Sequence, residues 1–333
     1  MSKIAKSKIA SGVYWLEVPE AELFVLCGCP ADSVKHLMKA GKISNIEEET
    51  DFSKSISDQT QHTHGTVTNE TGPNAILLSD LSVQNGDIAN LAEFPVLQML
   101  YRQGMLLPNH PNNTGAQPLL IGNKNMVIAQ MNYIHRGNYG LTSLEEILEV
   151  GITRVQAEEM MHIKLFFAFG EIHPSSDLLE ARIIDNEPVE ILNGVRVVRK
   201  SINCYEFLYQ DERVEVDLNL GKNDSYETPY ELENHYFKRE YFSIVHTGEG
   251  DGWDINRPCM ASVLSFQGKI FLIDVGPNIA HTLNAIGVDV NEVEGIFHTH
   301  AHDDHFAGLA SLIRVNHRIK YYSTPLVRVS VTK

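Results

Sequence analysis

The feature that most constrains this chain is a short histidine-rich stretch near residue 300. Three histidines and two aspartates occur within seven residues, in the order Thr299-His300-Ala301-His302-Asp303-Asp304-His305. The apolar run 295–297 precedes it and predicts a buried strand. Side chains two positions apart in extended backbone point to the same side, so His300 and His302 are expected to project together. Two imidazoles placed in this way supply half of a tetrahedral or five-coordinate metal site.

The residues after the stretch predict a helix. Residues 304–313 carry apolar side chains at helical spacing, namely Phe306, Leu309, Leu312 and Ile313. This spacing places Asp304 and His305 at the N-terminal end of the helix, where they face the same point as the upstream histidines. A strand, a loop with metal-binding side chains and a helix start together predict a two-metal centre. The alternative is a polar loop in which histidines cluster without binding metal, and the flanking strand and helix disfavour it.

This stretch resembles the signature Thr-His-x-His-x-Asp-His of the metallo-β-lactamase superfamily. The signature positions are occupied by Thr299, His300, His302, Asp304 and His305. The resemblance implies that His300 and His302 bind a first metal ion and that Asp304 and His305 bind a second. It also implies that Asp304 orients the attacking water as a catalytic residue. The expected cofactors are two divalent metal ions, with zinc as the first choice and iron or manganese as alternatives.

The resemblance extends from about residue 241 to the end of the sequence. Asp274-Val275-Gly276 is similar to the Asp-x-Gly that follows a strand in the superfamily, where the aspartate supports the metal ligands through hydrogen bonds. The implied fold is an α/β protein with an αββα sandwich. Members of the superfamily carry further metal ligands later in the chain, beyond the position that corresponds to Lys333. We therefore expect a C-terminally truncated unit whose four ligands bind metal weakly, so that the chain as given is inactive.

Composition restricts the function classes. The chain has 333 residues, enough for two domains, and its 43 acidic against 27 basic residues give a formal charge of −16. Such a surface repels polyanions, which disfavours an extended nucleic-acid partner but is compatible with a small phosphorylated substrate at a metal centre. No apolar run reaches the roughly 20 residues of a membrane span. With four cysteines and no disulfide pattern, the expected setting is the cytoplasm, without a membrane partner.

The first 230 residues predict a mixed α/β region without an assigned function. Residues 44–72 are polar and are expected to form a surface loop. The patterns at 189–198 and 205–218 predict two hairpins, and Gly122 to Asn125 predicts a hairpin turn between apolar runs. The polar segment 221–230 is the expected boundary between a region 1–230 and a lactamase-like half domain 231–333.

One internal similarity suggests a duplication. The strand, turn and helix around residues 26–41 are similar in sequence pattern to those around residues 273–287, and a further strand follows each. On this hypothesis, the N-terminal region is a degenerate lactamase-like unit that has lost its metal ligands. The alternative is two unrelated strand-turn-helix units. The hypothesis requires the same strand order in both regions.

The sequence favours a metal-dependent hydrolase that acts on a phosphodiester or a nucleotide-like small molecule. The stretch from Thr247 to Gly250 resembles the opening of phosphodiesterase-like members of the superfamily. One alternative is a non-hydrolytic di-iron redox or sensor protein, but redox members typically have glutamate where this chain has His302. Thioester or lactam hydrolysis is a second alternative, and a regulatory or scaffold protein is a third.

Overall fold

The structure is a computed structural model, and it describes residues 2–56, 59–168 and 170–333. Side chains are described everywhere in these ranges except from 46 to 69. The chain has a mixed α/β fold, as the sequence predicted.

The strands follow one another in the order β1 (Ala5–Ala10), β2 (Val13–Val18), β3 (Leu23–Cys27), β4 (Asn45–Ile56), β5 (Gln59–Glu70), β6 (Ala75–Leu77), β7 (Val83–Gln84), β8 (Asp87–Ile88), β9 (Leu119–Gly122), β10 (Glu180–Ile183), β11 (Val189–Leu192), β12 (Val195–Ser201), β13 (Cys204–Tyr209), β14 (Glu212–Asp217), β15 (Phe242–Gly248), β16 (Ala261–Phe266), β17 (Lys269–Ile273), β18 (Val293–His298) and β19 (Lys320–Ser323). The helices are α1 (Ser33–Lys39), α2 (Glu93–Leu97), α3 (Lys124–Tyr139), α4 (Leu144–Leu148), α5 (Arg154–Phe167), α6 (Ile279–Ala285), α7 (Asp303–Phe306), α8 (Leu309–Leu312) and α9 (Pro325–Thr332).

The first sheet has the strand order β1-β2-β3-β6-β9-β10 in the described part of the chain. Its first three strands pair antiparallel, and the pairs from β3 to β10 are parallel. Neighbouring residues in these strands face opposite layers, as the period of two requires. Leu16 and Leu77 pack towards the sheet formed by β11 to β14, whereas Leu26 and Ile76 pack towards α1, α2 and α3. Both faces of the first sheet are therefore covered. The predicted hairpins β11-β12 and β13-β14 are confirmed.

The second sheet has the order β15-β16-β17-β18-β19, with two antiparallel pairs followed by two parallel pairs. One face packs on α6 and α8 through a core that includes Val263, Leu272 and Ile296. Aromatic side chains on the opposite face stay partly exposed, among them Phe297 at 39% and Tyr322 at 46%. The second sheet is therefore covered by helices on one face only, within the residues that the structure describes.

The two sheets share their order and strand directions over five strands. Each also has a register irregularity at the same place, between Lys8 and Ala10 in the first sheet and between His246 and Gly248 in the second. This is the strand order that the duplication hypothesis requires. Whether the first region descends from a lactamase-like unit stays a prediction, as does the domain boundary near residue 230.

Two local predictions are wrong. The polar segment 44–72 contains the paired strands β4 and β5 instead of a loop, with Asn45 opposite Glu70. The predicted hairpin turn after β9 is a helix start, because the Asn123 side chain accepts a hydrogen bond from the Met126 amide and caps α3.

Candidate metal centre

The histidine-rich stretch lies where the second sheet meets its helices. Strand β18 ends at His298, an irregular segment carries His300, and α7 begins at Asp303 with His302 in the capping position. The apolar pattern at residues 293–297 explains the strand, since Val293 and Ile296 are buried in the core. The predicted strand, loop and helix start are confirmed, although the helical segment is divided into α7 and α8.

Three of the four predicted ligands converge. His300, Asp304 and His305 each offer one ligand atom, and these atoms all lie within 4.8 Å of one another. The rings of His300 and His305 have centroids 3.9 Å apart, and Asp304 Oδ2 lies 3.7 Å from His305 Nε2. Two imidazoles and a carboxylate at this spacing suit zinc and also iron or manganese.

His302 lies apart from this group. Its ring centroid is 4.9 Å from that of His300, but its side chain is exposed and its ring lies beside the backbone of Gly137. The structure therefore brings His302 near the centre without aiming it at the three converged ligand atoms. Its assignment as a ligand stays a prediction.

Asp274 supports the centre through hydrogen bonds. It is 2% exposed and accepts bonds from the Thr299 amide at 2.8 Å, from Thr299 Oγ1 at 2.7 Å and from His305 Nδ1 at 2.9 Å. Burial opposes ionisation of this carboxyl, yet the bonds from His305 and Thr299 outweigh that cost and hold its pKa below the ordinary value. Asp274 therefore lies where the sequence resemblance expects a supporting carboxylate.

The same hydrogen bonds fix the tautomers of two ligands. His305 engages Asp274 through Nδ1, which leaves Nε2 for a metal. Thr299 Oγ1 donates to Asp274, so it can accept from His300 Nδ1, which lies 3.0 Å away. Nε2 of His300 is then also left with a free lone pair. Burial and the neighbouring histidines lower the pKa of His300, which favours the neutral imidazole that metals bind.

Asp303 lies in a buried environment. Asp303 is the variable position of the signature, and the sequence alone gives it no role; in the structure it is only 3% exposed. The Tyr133 hydroxyl donates to Asp303 Oδ1, and the Asp303 amide donates to Glu93 Oε2 at 3.2 Å. Burial raises the pKa of both carboxyls. Sequence reasoning missed Glu93 and Tyr133 because no local pattern links them to a motif about 170 to 210 residues away.

His298 is packed and has no access to the centre. It is fully buried, its Nδ1 lies 3.0 Å from the Tyr321 hydroxyl, and its ring contacts Phe306. Burial lowers the pKa of His298 to about 4. It therefore remains neutral at ordinary pH and fills the core behind the ligands.

A cavity of about 520 Å³ opens beside His300 and His302. Its walls come from α3, α5 and α9 and are mainly apolar. The charged side chains that line it are those of Arg136, Lys164 and Lys333, and no Asp or Glu side chain lines it in the described residues. Arg136 pairs with Glu146 at 2.8 Å and Lys333 with Glu149 at 2.9 Å, whereas Lys164 forms no ion pair within the described ranges and donates to a backbone carbonyl.

Comparison with known proteins finds similarity in the part of the chain that contains this centre. A family model described as "Anti-Pycsar protein Apyc1" matches residues 242–327, which include every predicted site residue. Ribonuclease Z of Thermococcus onnurineus (strain NA1) is 41% identical over 59 residues, which are 18% of each chain. Ribonuclease Z of Clostridium kluyveri is 36% identical over 58 residues, or 17% of this chain and 19% of that one. The chain thus spans less than a fifth of the length of these relatives.

Two solved structures show local likeness. The human tRNase Z, short form, shares 28% identity over 24% of this chain and 34% of its own, with a TM-score of 0.22. A diphosphatase from the PhnP family shares 20% identity over 27% of this chain and 44% of its own, also with a TM-score of 0.22. The sequence similarity to ribonuclease Z supports the resemblance to the metallo-β-lactamase superfamily over part of this chain.

Proposed function

We propose that this chain belongs to a metal-dependent hydrolase that cleaves phosphodiesters. The observation that carries the proposal is the convergence of His300, Asp304 and His305, with Asp274 and Thr299 holding the Nδ1 atoms of both imidazoles. Ligands held from behind in this way have a fixed direction and tautomer, which is what a catalytic metal site needs. The partial sequence similarity to ribonuclease Z supports the same reaction class.

The proposed cofactor is a pair of divalent ions, with zinc as the expected metal. His300 and His302 would hold one ion, and Asp304 and His305 the other. Bound metal ions lower the pKa of a coordinated water and polarise a phosphoryl group. Asp304, at the start of α7, is 14% exposed and can both ligate and accept a hydrogen bond that orients the attacking water. Iron and manganese are the alternatives, because histidine and carboxylate suit them as well.

The cavity beside the centre favours an anionic substrate. The chain as a whole has a formal charge of −16, yet the charged side chains that line this cavity are basic, and Lys164 is the one of them that forms no ion pair in the described part of the chain. Burial lowers the pKa of Lys164, whose side chain lines the same cavity as His300. A phosphate next to the scissile bond would meet positive charge here, and an apolar group such as a nucleobase would meet the apolar walls.

Two substrate sizes follow from different observations. The acidic surface favours a nucleotide-like small molecule, because long polyanions are repelled from it. The relatives named ribonuclease Z make a short RNA the second candidate. A di-iron redox protein is less well supported, since His302 stands where redox members carry glutamate. Thioester or lactam hydrolysis lacks the support that the similarity to ribonuclease Z gives to phosphodiester cleavage.

The test combines metal analysis with turnover. We expect the full-length protein to which this chain belongs to take up two zinc ions and to hydrolyse bis(p-nitrophenyl) phosphate, and we expect His302→Ala and Asp304→Ala to abolish that turnover. The matched control is His162→Ala, which removes an exposed histidine on α5. A short RNA oligonucleotide assayed in parallel separates the two substrate sizes. Two bound irons with a charge-transfer band in a protein without phosphodiester turnover, or full turnover by Asp304→Ala, would contradict the proposal.

A further inference from the structure

The first turn of α7 is held by residues from a distant part of the chain. The amides at the start of a helix have no partner within it and need an outside acceptor. Glu93, at the start of α2, supplies that acceptor for the Asp303 amide through Oε2, at 3.2 Å. The contact joins positions 210 residues apart. Because Asp303 lies between His302 and Asp304, fixing its backbone restricts both neighbours.

A second contact holds the Asp303 side chain. The hydroxyl of Tyr133, on α3, donates to Asp303 Oδ1. Glu93 is 1% exposed and Asp303 is 3% exposed, so water cannot readily replace either contact. Breaking a hydrogen bond to a buried polar group leaves that group unsatisfied, which costs more than an ordinary hydrogen bond contributes. The two contacts therefore resist displacement of the segment.

The backbone of α3 is shaped to allow this arrangement. A Cβ at Gly137 would lie 2.5 Å from the Glu93 carboxyl carbon, closer than any real Cβ contact. Glycine at this position lets α3 approach Glu93 closely. The same glycine backbone lies beside the ring of His302. One turn of α3 thus contacts both the residue that holds α7 and a predicted metal ligand.

We infer that Glu93 and Tyr133 are positioning residues that hold the segment from His302 to His305 in place for metal binding. They are not among the converged ligand atoms, and they hold the segment through Asp303; Tyr133 also lines the cavity beside the centre. The region before β15, which the sequence left without a function, thereby contributes directly to the geometry of the centre. Two measurements test this inference, and only the second, cobalt binding, rests on the proposed metal centre.

The first readout is amide hydrogen exchange without metal. We expect Tyr133→Phe and Glu93→Ala to increase exchange at residues 303–307 selectively, since they release the first turn of α7. Glu93→Gln keeps an acceptor of the same shape, so it should retain the parent protection and show that the acceptor matters. The matched control is Tyr205→Phe, which removes another buried tyrosine hydrogen bond, to the Leu78 carbonyl at 3.1 Å, far from α7 in sequence.

The second readout is the affinity for cobalt, which titration measures. The visible spectrum of the bound cobalt ion reports its coordination. Loss of a residue that orients metal ligands typically costs 10–100-fold in metal affinity, so we expect about that loss for Tyr133→Phe and Glu93→Ala. Glu93→Gln and Tyr205→Phe should keep the parent affinity and spectrum.

The outcomes separate the inference from the proposed function. The positioning role is overturned if amide exchange at residues 303–307 is unchanged in Tyr133→Phe and Glu93→Ala. It is also overturned if Tyr205→Phe changes exchange there by the same amount. Selective exchange in a protein that binds no cobalt supports the positioning role and contradicts the metal centre. If Glu93→Ala does not fold, the comparison of Tyr133→Phe with Tyr205→Phe decides the question.

Discussion

The two sheets of this molecule have the same framework but carry different side chains at corresponding positions. The Gly28 amide bonds the Leu77 carbonyl at 2.8 Å, and the Asp274 amide bonds the Phe297 carbonyl at the same distance. Gly28 and Asp274 both have positive φ, at 80° and 59°. These two positions therefore correspond, yet only the second carries a carboxylate that can hold metal ligands.

The residues that follow the next strand differ in the same way. Two positions beyond Phe297, the Thr299 amide is held by Asp274, whereas two positions beyond Leu77 the Ser79 amide is held by Asn90 at 2.9 Å. Asp80 then stands where the second sheet has His300. It bonds Arg199 at 2.7 Å and is nearly buried, with a side-chain exposure of 3%. A shared framework thus supports a candidate metal centre in one sheet and a structural ion pair in the other.

The surfaces of the two sheets differ as well. Leu77 is fully buried beneath the β11 to β14 sheet, whereas the corresponding Phe297 is 39% exposed. Contacts also cross between the two regions. Asn278 Nδ2 donates to Asp32 Oδ2 at 2.7 Å, and both residues have positive φ at the start of corresponding helices, α6 and α1. The two units therefore meet through equivalent turns, and the segment with the candidate metal ligands lies close to this junction.

The largest effect on stability is expected at Asp80. The comparison of the two sheets gives this residue a structural ion pair and no part in metal binding. Asp80→Ala should lower the free energy of unfolding at pH 7 by about 3 kcal/mol, the lower end for a broken buried pair, because Arg199 is 25% exposed. Cobalt affinity should not change. Urea unfolding and cobalt titration measure the two effects, with the exposed Asp211→Ala as the matched control. A loss of cobalt affinity in Asp80→Ala would show that the first sheet retains a role in metal binding.

The contribution of Asp80 to the free energy of unfolding should also depend on pH. Burial opposes its ionisation, but bonds from Asn123, Asn203 and Arg199 outweigh this and lower its pKa. A carboxyl with a lowered folded-state pKa stabilises the fold above its unfolded value, near 4, and loses that contribution as pH falls through the folded value. The difference between the parent protein and Asp80→Ala should therefore shrink between pH 5 and pH 2, roughly the range for a salt-bridged aspartate.

A smaller effect on stability is expected from a substitution at Gly28. This substitution tests why the first sheet has no counterpart of Asp274. A Cβ at Gly28 would lie 2.4 Å from the Gly12 carbonyl oxygen, and the φ of 80° disfavours any other residue. Gly28→Ala should therefore destabilise the protein by about 2 kcal/mol, within the range for local backbone strain. Thermal unfolding measures this, with Gly41→Ala as the control, because that glycine also has positive φ but open space around it. Equal losses in both variants would show that φ alone, and not the close approach, excludes an aspartate here.

The sequence predicted the parts of this comparison that depend on local patterns. The motif and its strand and helix start were predictable because imidazole and carboxylate spacing and apolar periodicity are local. The predicted turn after β9 was wrong, because Asn123 suits a tight turn and a helix cap equally well. Glu93, Tyr133 and the burial of Asp303 depend on how distant segments pack, which one sequence does not encode locally.

The smallest expected effect concerns Asp274, and it tests the metal-bearing side of the comparison. Asp274→Asn keeps the size and one acceptor oxygen but loses the charge that favours the Nδ1–H tautomer of His305. We expect metal affinity to fall about 10–100-fold, the usual cost of losing a partner that orients a metal ligand. Asp289→Asn, which alters a helix cap at an exposed site on the same unit, is the matched control. Cobalt titration at pH 7 measures both. Parent affinity in Asp274→Asn would mean that Thr299 and the backbone alone orient the ligands, and the difference between Gly28 and Asp274 would then not explain why one sheet carries the metal centre.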